Sequence, residues 1–212
     1  MCRLLLVKSK EKIEISAHLK KFAQIAKNSR EYQGHGWGCA YLKNGEWEIY
    51  KNVNPIWEDD LVKFPPTVNL LAHARSAFQN EGINVENNMP FLIDKYVFIF
   101  NGELHGVKIK EKGRIGAEKV FNYIKRFDKG DMFEAIKKAV ELIKRRTTFI
   151  RAMNFIIADE RNVYLHSLFN DEPEYFTMHI KKSGSELLIC SEKFPHENNW
   201  HPLKNKTIEV FQ

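Results

Sequence analysis

The chain opens with MCRLLLV (residues 1–7), in which a cysteine directly follows the initiator methionine and precedes an apolar run. The run from Arg3 to Val7 predicts a strand that is buried on both faces. Cys2 has two interpretations at this point. It is either a small buried residue at the start of a core strand, or, once Met1 is removed, the first residue of the protein, with a thiol and a free α-amine. An α-amine has a pKa of about 7.7–8.0 and can act as general base for its own side chain.

Composition limits the class of protein. With 212 residues, of which 43% are hydrophobic, the chain predicts a single domain spanning residues 1–212. No apolar run approaches the roughly 20 residues that span a bilayer, and the N-terminus lacks a signal-peptide layout, so we expect a cytoplasmic protein that binds no membrane. The net charge is +6, but glutamates are interleaved with the lysines of the basic stretches. Because no binding motif accompanies this charge, we expect no nucleic-acid partner.

The cysteines and histidines are scattered along the chain. Cys2, Cys39 and Cys190 are odd in number and far apart, which favours reduced thiols over disulfides. No histidine has a recognisable metal-ligand spacing, so we expect no structural metal and no cofactor. Cys39 and Cys190 lie in predicted strands and are expected to be buried and inert.

The predicted elements run from strands to helices and back to strands. Asn44-Gly45, between two alternating runs, predicts a hairpin, and Ser16 is a candidate cap for a helix near the N-terminus. Strands are predicted at Val68–Ala72 and Tyr96–Phe100. Two amphipathic helices follow between residues 117 and 143, and the last third predicts strands at NFIIA, VYLHSLF, EYFTMHI, ELLIC and TIEVF. Without regular strand–helix alternation, this order predicts an α+β domain with two sheets packed together and helices outside.

Two further stretches contain residues suited to acyl transfer. In LLAHARSA (residues 70–77), Arg75 either extends from a strand end to water or presents its guanidinium to a substrate carboxylate. In YVFIFNGELHG (residues 96–106), Asn101-Gly102 is either a plain turn or an oxyanion hole, with the Asn101 amide and the Gly102 N–H as donors. The neighbouring His73 is expected to be a satisfied core histidine rather than a base. Trp57 is expected on a loop over the pocket mouth.

The order of several motifs resembles that of class II glutamine amidotransferases, and the short stand-alone members most closely. The motifs are MCRLL, GHGWGCAY, LAHARSA, NNMPF, FIFNGEL, GAEKVFNYI, NFIIAD and LLICSE, and they cover nearly the whole chain. The resemblance implies an N-terminal-nucleophile hydrolase fold, a four-layer αββα sandwich with two stacked antiparallel sheets.

The resemblance also implies roles for individual residues. Cys2 would cleave the side-chain amide of glutamine through a thioester, releasing ammonia and glutamate. Asn101 and Gly102 would form the oxyanion hole, and Arg75 would hold the substrate α-carboxylate. Trp37 and Gly38 would lie at the substrate, beside Gly36, in a stretch where the glycines serve backbone geometry. Any ammonia acceptor would need a separate synthase subunit.

Three positions depart from the family pattern. Phe78 stands where members have threonine or serine, Met89 where they have histidine, and Gly116 where they have the acid that meets the substrate α-amine. Glu118 or Glu103 is a candidate replacement for that acid. Two alternatives therefore stay open: a γ-glutamyl or other amide with a blocked amine as substrate, or a non-catalytic regulatory subunit of the same fold.

Overall fold

The computed structural model describes all residues, 1–212, and builds them around two antiparallel sheets. Sheet A has seven strands in the order β11-β9-β10-β1-β4-β2-β3, and sheet B has five in the order β12-β8-β7-β6-β5. The strands are β1 (Arg3–Ile13), β2 (Trp37–Lys43), β3 (Glu46–Asn52), β4 (Thr67–Ala74), β5 (Phe91–Ile93), β6 (Tyr96–His105), β7 (Phe149–Ala158), β8 (Val163–Ser167), β9 (His179–Ser183), β10 (Glu186–Cys190), β11 (His201–Pro202) and β12 (Thr207–Phe211). The helices are α1 (Ile15–Lys27), α2 (Gly116–Lys125), α3 (Met132–Arg145) and α4 (Pro173–Phe176).

The alternation of side chains along β1 separates two cores. Leu4 and Leu6 belong to the larger core, which sheet A shares with sheet B, whereas Leu5 and Val7 belong to a second core that includes α1. On the far side of sheet B, Phe121 of α2 stacks on Phe98 of β6 with ring centroids 4.6 Å apart. The layers are therefore helix, sheet, sheet and helices, and the predicted αββα sandwich is confirmed.

Several local predictions hold and others are wrong. Asn44 and Gly45 join β2 to β3 with positive φ angles of 54° and 84°, as the hairpin prediction requires. Ser16 does not cap α1, because the helix already begins at Ile15 and Glu14 is its N-cap residue. The predicted strand EYFTMHI is wrong in its first half, because Pro173 starts the short helix α4 there. None of the helices is both long and apolar enough to cross a membrane.

Candidate active site

Strand register brings Cys2 next to Arg75 on the face of sheet A that meets sheet B. Arg3 pairs with Ala74 and Leu4 pairs with His73, so Cys2 lies beside the residues that follow β4. The Cys2 thiol donates a hydrogen bond to the Ser76 carbonyl over 3.6 Å. Because side chains alternate, Cys2 projects to the same side as Leu4, which packs between the sheets.

The Cys2 thiol keeps its proton while Met1 is attached. Burial raises the pKa of Cys2, against the lowering effects of the terminal ammonium of Met1, the Ser76 backbone and the Arg75 charge. A thiol with a raised pKa is a poor nucleophile and needs a base. The neighbouring His73 cannot serve, because burial and the Arg75 charge lower its pKa to about 3. A second candidate base is the α-amine of Cys2 itself, which becomes free only when Met1 is removed.

Arg75 is a buried cation without a carboxylate partner. It is 5% exposed, and its guanidinium donates to the carbonyls of Gly82 (2.9 Å) and Glu81 (3.4 Å) and to Asn88 Oδ1 (3.3 Å). None of the ion pairs in the structure involves Arg75. Burial lowers its pKa, and the only charge that acts in the opposite direction is that of Cys2. A buried guanidinium that lacks a counter-ion is suited to bind an anionic ligand group.

Asn101 is a buried amide without a partner. It lies inside β6, fully buried, and neither Oδ1 nor Nδ2 has a hydrogen-bond partner. The turn interpretation is therefore wrong, because the strand continues through Gly102 to His105. Asn154 stands directly opposite on β7, also fully buried, but its amide donates to the Phe176 carbonyl and accepts from the Leu168 N–H. The contrast makes Asn101 a candidate to bind a ligand.

Asn101 and Cys2 lie on elements that pack against each other, because β1 and β4 pack across from β6. His73 of β4 is fully buried, but neither ring nitrogen has a hydrogen-bond partner, so it is not the satisfied core histidine that we expected. At Gly102 a Cβ atom would lie 2.4 Å from the Ala152 carbonyl oxygen, so only glycine fits without a backbone shift. Its role in backbone geometry is thus explicit, and its N–H as an oxyanion donor stays a proposal.

In the GHGWG stretch, Gly36 and Gly38 are required by close backbone contacts, and the Trp37 side chain does not face the candidate site. A Cβ atom on Gly38 would lie 2.5 Å from the Met89 carbonyl oxygen, and on Gly36, with φ of 104°, it would lie 2.7 Å from the Asn52 carbonyl oxygen. The Trp37 side chain points to the opposite face of sheet A, where it is fully buried, and its Nε1 donates to Asp59 Oδ2 over 2.9 Å. The prediction that Trp37 contacts substrate is therefore corrected. Trp37 is one residue out of phase with Gly38 and belongs to the second core.

The structure gives the surroundings of the three residues that depart from the family pattern and of the two acids considered as replacements. Gly116 begins α2, and a Cβ atom there would meet nothing within 4 Å. Glu118 is bound by Arg114, and Glu103 by Arg151 and His105. Both candidate acids are therefore already paired. Phe78 is 59% exposed beside the Arg75 loop, and Met89 is buried.

Met1 is held in place by residues that the sequence did not single out. Its carbonyl oxygen accepts hydrogen bonds from Gln33 Nε2 and the Tyr175 hydroxyl, each 2.6 Å long, and its ammonium pairs with Glu31. Gln33 and Tyr175 lie 142 residues apart, so no local pattern could join them. Trp57 lies in a 3₁₀ turn and reaches this region only through ring contacts with Tyr32, which in turn contacts His35.

Two stacked antiparallel sheets between helical layers, with a cysteine just ahead of a central strand, define the fold of class II glutamine amidotransferase domains. Solved structures of that class match it. A glutamine PRPP amidotransferase from B. subtilis, complexed with ADP and GMP, is 16% identical with a TM-score of 0.66, over 90% of this chain and 42% of its own length. A glutamine aminotransferase class-II domain protein from Silicibacter pomeroyi is 17% identical with a TM-score of 0.65, over 99% and 94% of the two chains.

A third structure is described as a predicted glutamine amidotransferase from Pseudomonas aeruginosa. It is 13% identical with a TM-score of 0.61, over 99% of this chain and 97% of its own. The chain thus spans less than half of the B. subtilis enzyme but nearly all of the two shorter proteins. No protein-family model matches the sequence, and no curated protein matches it. At these identities the likeness establishes the fold.

Proposed function

We propose that this chain is an N-terminal-cysteine amidohydrolase that cleaves the side-chain amide of glutamine or a related γ-glutamyl amide. The observation that carries the proposal is that packed elements carry a buried amide without a partner, a buried guanidinium without a counter-ion and a cysteine thiol. The Asn101 amide has no partner, the Arg75 guanidinium has no counter-ion, and Cys2 lies beside Arg75. A substrate amide oxygen and an α-carboxylate would satisfy these two groups.

The chemistry begins when removal of Met1 frees the Cys2 α-amine. The amine takes the thiol proton, and Sγ attacks the amide carbon, with Asn101 Nδ2 and the Gly102 N–H donating to the oxyanion. The intermediate collapses by breaking the C–N bond, and the Cys2 ammonium returns its proton to the leaving nitrogen. Water then attacks the thioester with the same amine as base, which releases the carboxylic acid and restores the thiol.

Substrate recognition is asymmetric in this proposal. Arg75 would bind the α-carboxylate, whereas Gly116 offers no acid to the α-amine. An unpaired buried polar group costs about 1–3 kcal/mol and a charged group more, so glutamine would bind more weakly than in a site with that acid. Any transfer of the released ammonia would require a separate synthase subunit.

The test is intact mass spectrometry after incubation with a glutamine-mimicking diazoketone. We expect loss of Met1 and one covalent adduct on Cys2. Cys39 and Cys190 are internal controls, because both are fully buried and burial raises the pKa of each thiol. Retained Met1 without an adduct would contradict the proposal and favour the non-catalytic subunit. Processed protein without an adduct would favour an amide with a blocked amine.

A further inference from the structure

Met1 occupies an enclosed pocket that begins at the Cys2 nitrogen. The Met1 side chain is 9% exposed and packs on the small apolar cluster of Ala152, Phe169, Tyr175 and Phe176. Its ammonium pairs with Glu31 at the other end of the pocket. Removal of Met1 would therefore open a pocket with an apolar wall, an acidic end and the nucleophilic residue at its entrance.

The acidic end has one more carboxylate than it has arginines. Arg151 contacts Glu103 (2.8 Å), Glu31 (3.6 Å) and Glu172, and Arg30 also contacts Glu172. Glu103 also contacts His105 (2.6 Å). With His105 counted as neutral, three carboxylates face two guanidiniums, and the Met1 ammonium supplies the third positive charge. These side chains are partly shielded, with Glu103 17% and Glu31 29% exposed. Without Met1, and with the Cys2 amine neutral as the general base, the cluster has a net negative charge that favours a replacement cation.

A buried amide also faces this pocket. Gln33 is fully buried, and its Nε2 donates to the Met1 carbonyl, whereas its Oε1 has no hydrogen-bond partner. The pocket therefore has a cation-binding end and an unsatisfied amide oxygen, which favour an occupant that carries donors, and an apolar wall, which favours a hydrocarbon segment.

The Met1 pocket begins at the Cys2 amine, and the leaving group of the proposed reaction departs at the same amine. The Cys2 amine that is bonded to Met1 is the same amine that would protonate the leaving nitrogen. The leaving nitrogen would then lie at hydrogen-bond distance from the Cys2 nitrogen, the atom to which Met1 is bonded. A substituent on the leaving nitrogen could therefore extend into the Met1 pocket. The Met1 nitrogen is one residue from Cys2, at most ~3.6 Å, and a hydrogen bond adds about 2.9 Å. A leaving amine with an ammonium ~6 Å away, or about three or four methylene groups, spans this distance.

We infer that the pocket vacated by Met1 is a leaving-group subsite for a γ-glutamyl amide of an alkyl diamine, with the methylene stem on the apolar cluster and the terminal ammonium at Glu31. This inference rests on the proposed function. The bond that breaks is the same C–N bond, the leaving diamine receives its proton from the Cys2 ammonium, and water completes the hydrolysis of the thioester. No further reactant enters.

The experiment compares kcat/KM of the processed protein for three substrates: glutamine, the γ-glutamyl aminobutyl amide and the γ-glutamyl pentyl amide. The two amides are nearly isosteric and differ in a terminal ammonium against a methyl group. We expect a preference of about tenfold or more for the aminobutyl amide, the value of one charge-assisted contact. Glu31→Gln should lower this ratio to about one, and Glu172→Gln should lower it in part.

The matched control is Glu174→Gln, which removes an exposed carboxylate of α4 outside the cluster and should keep the ratio. Equal rates for the two amides, with glutamine still cleaved and Cys2 still labelled, would overturn the subsite and leave the proposed function standing. A ratio that survives in both Glu31→Gln and Glu172→Gln would also overturn it. No turnover of any substrate and no labelling of Cys2 would overturn both proposals.

Discussion

Asn101→Leu is expected to remove activity without lowering stability. Leucine is close to asparagine in size, so the substitution replaces an amide that has no partner in the folded protein with an apolar group of similar shape. A buried unsatisfied polar group costs about 1–3 kcal/mol, and the variant should regain part of that free energy of unfolding. For a protein of this length, each kcal/mol raises Tm by about 2–4 °C. Loss of one oxyanion donor should lower kcat by about 10²–10³-fold.

Asn154→Leu is the matched control, since it replaces the same residue type at the same burial directly across the β6–β7 pair. The native amide holds the Phe176 carbonyl and the Leu168 N–H, so the substitution leaves both without a partner. At about 1–3 kcal/mol for each stranded group, the variant should lose about 2–6 kcal/mol of the free energy of unfolding. The two asparagines thus differ in the sign of their expected effect on stability.

The assays are urea unfolding of both variants and single-turnover hydrolysis of glutamine by the processed Asn101→Leu protein. If Asn101→Leu were as destabilising as Asn154→Leu, the Asn101 amide would already have hydrogen-bond partners in the free protein. It would then not be available to bind an oxyanion. If the variant kept the full acylation rate, Asn101 would have no part in the reaction. Either result would refute the assignment of Asn101.

Two other predictions concern substrate recognition and pH. Gly116→Asp should raise kcat/KM for glutamine, because the new side chain has free space at the start of α2 and can supply the missing acid; unchanged kinetics would discard that explanation of weak binding. Burial lowers the pKa of His166 to about 4, below its unfolded value of about 6.5. The unfolded chain therefore binds more protons below pH ~6.5, and stability should fall from there down to about pH 4 by up to about 1.4 kcal/mol per pH unit. Urea unfolding at pH 7 and pH 5 should show that His166→Phe loses about 2 kcal/mol less than the wild type; an equal loss in both proteins would show that His166 is not buried in its neutral form.

The parts of the fold that the sequence predicts correctly are those fixed by local chemistry. Asn44-Gly45 determines the β2–β3 hairpin because both residues tolerate positive φ. β1 extends to Ile13 across the charged stretch KSKEK, well beyond the apolar run. Its extension depends on backbone pairing with β4 and β10, strands that lie about 60 and 180 residues later, and no hydrophobic pattern marks it.

In the candidate site, too, some residues are marked by their local sequence and others depend on contacts between distant segments. Cys2, Arg75 and Asn101 could be selected as candidates because each stands at a strand end or within a polar interruption of an apolar run. The stretch around Trp37 predicts no face for its side chain, because the face depends on the register of β2 with β4, where Trp37 pairs with Ala74 of the second core. The Glu31–Arg151–Glu103 cluster joins three distant segments, and none of these side chains is distinctive in its own stretch.

The two proposals together predict how substrate recognition is divided between the acyl side and the leaving-group side. On the acyl side, Gly116 offers no carboxylate, and Glu118 is held by Arg114. On the leaving-group side, a net negative cluster already binds an ammonium, that of Met1. Because kcat/KM depends on all contacts made in the transition state, a cation bound at the leaving amine can replace binding energy that is lost at the α-amine. Specificity would then depend on the amine that departs, and glutamine, whose leaving group is only ammonia, would be the poorer substrate.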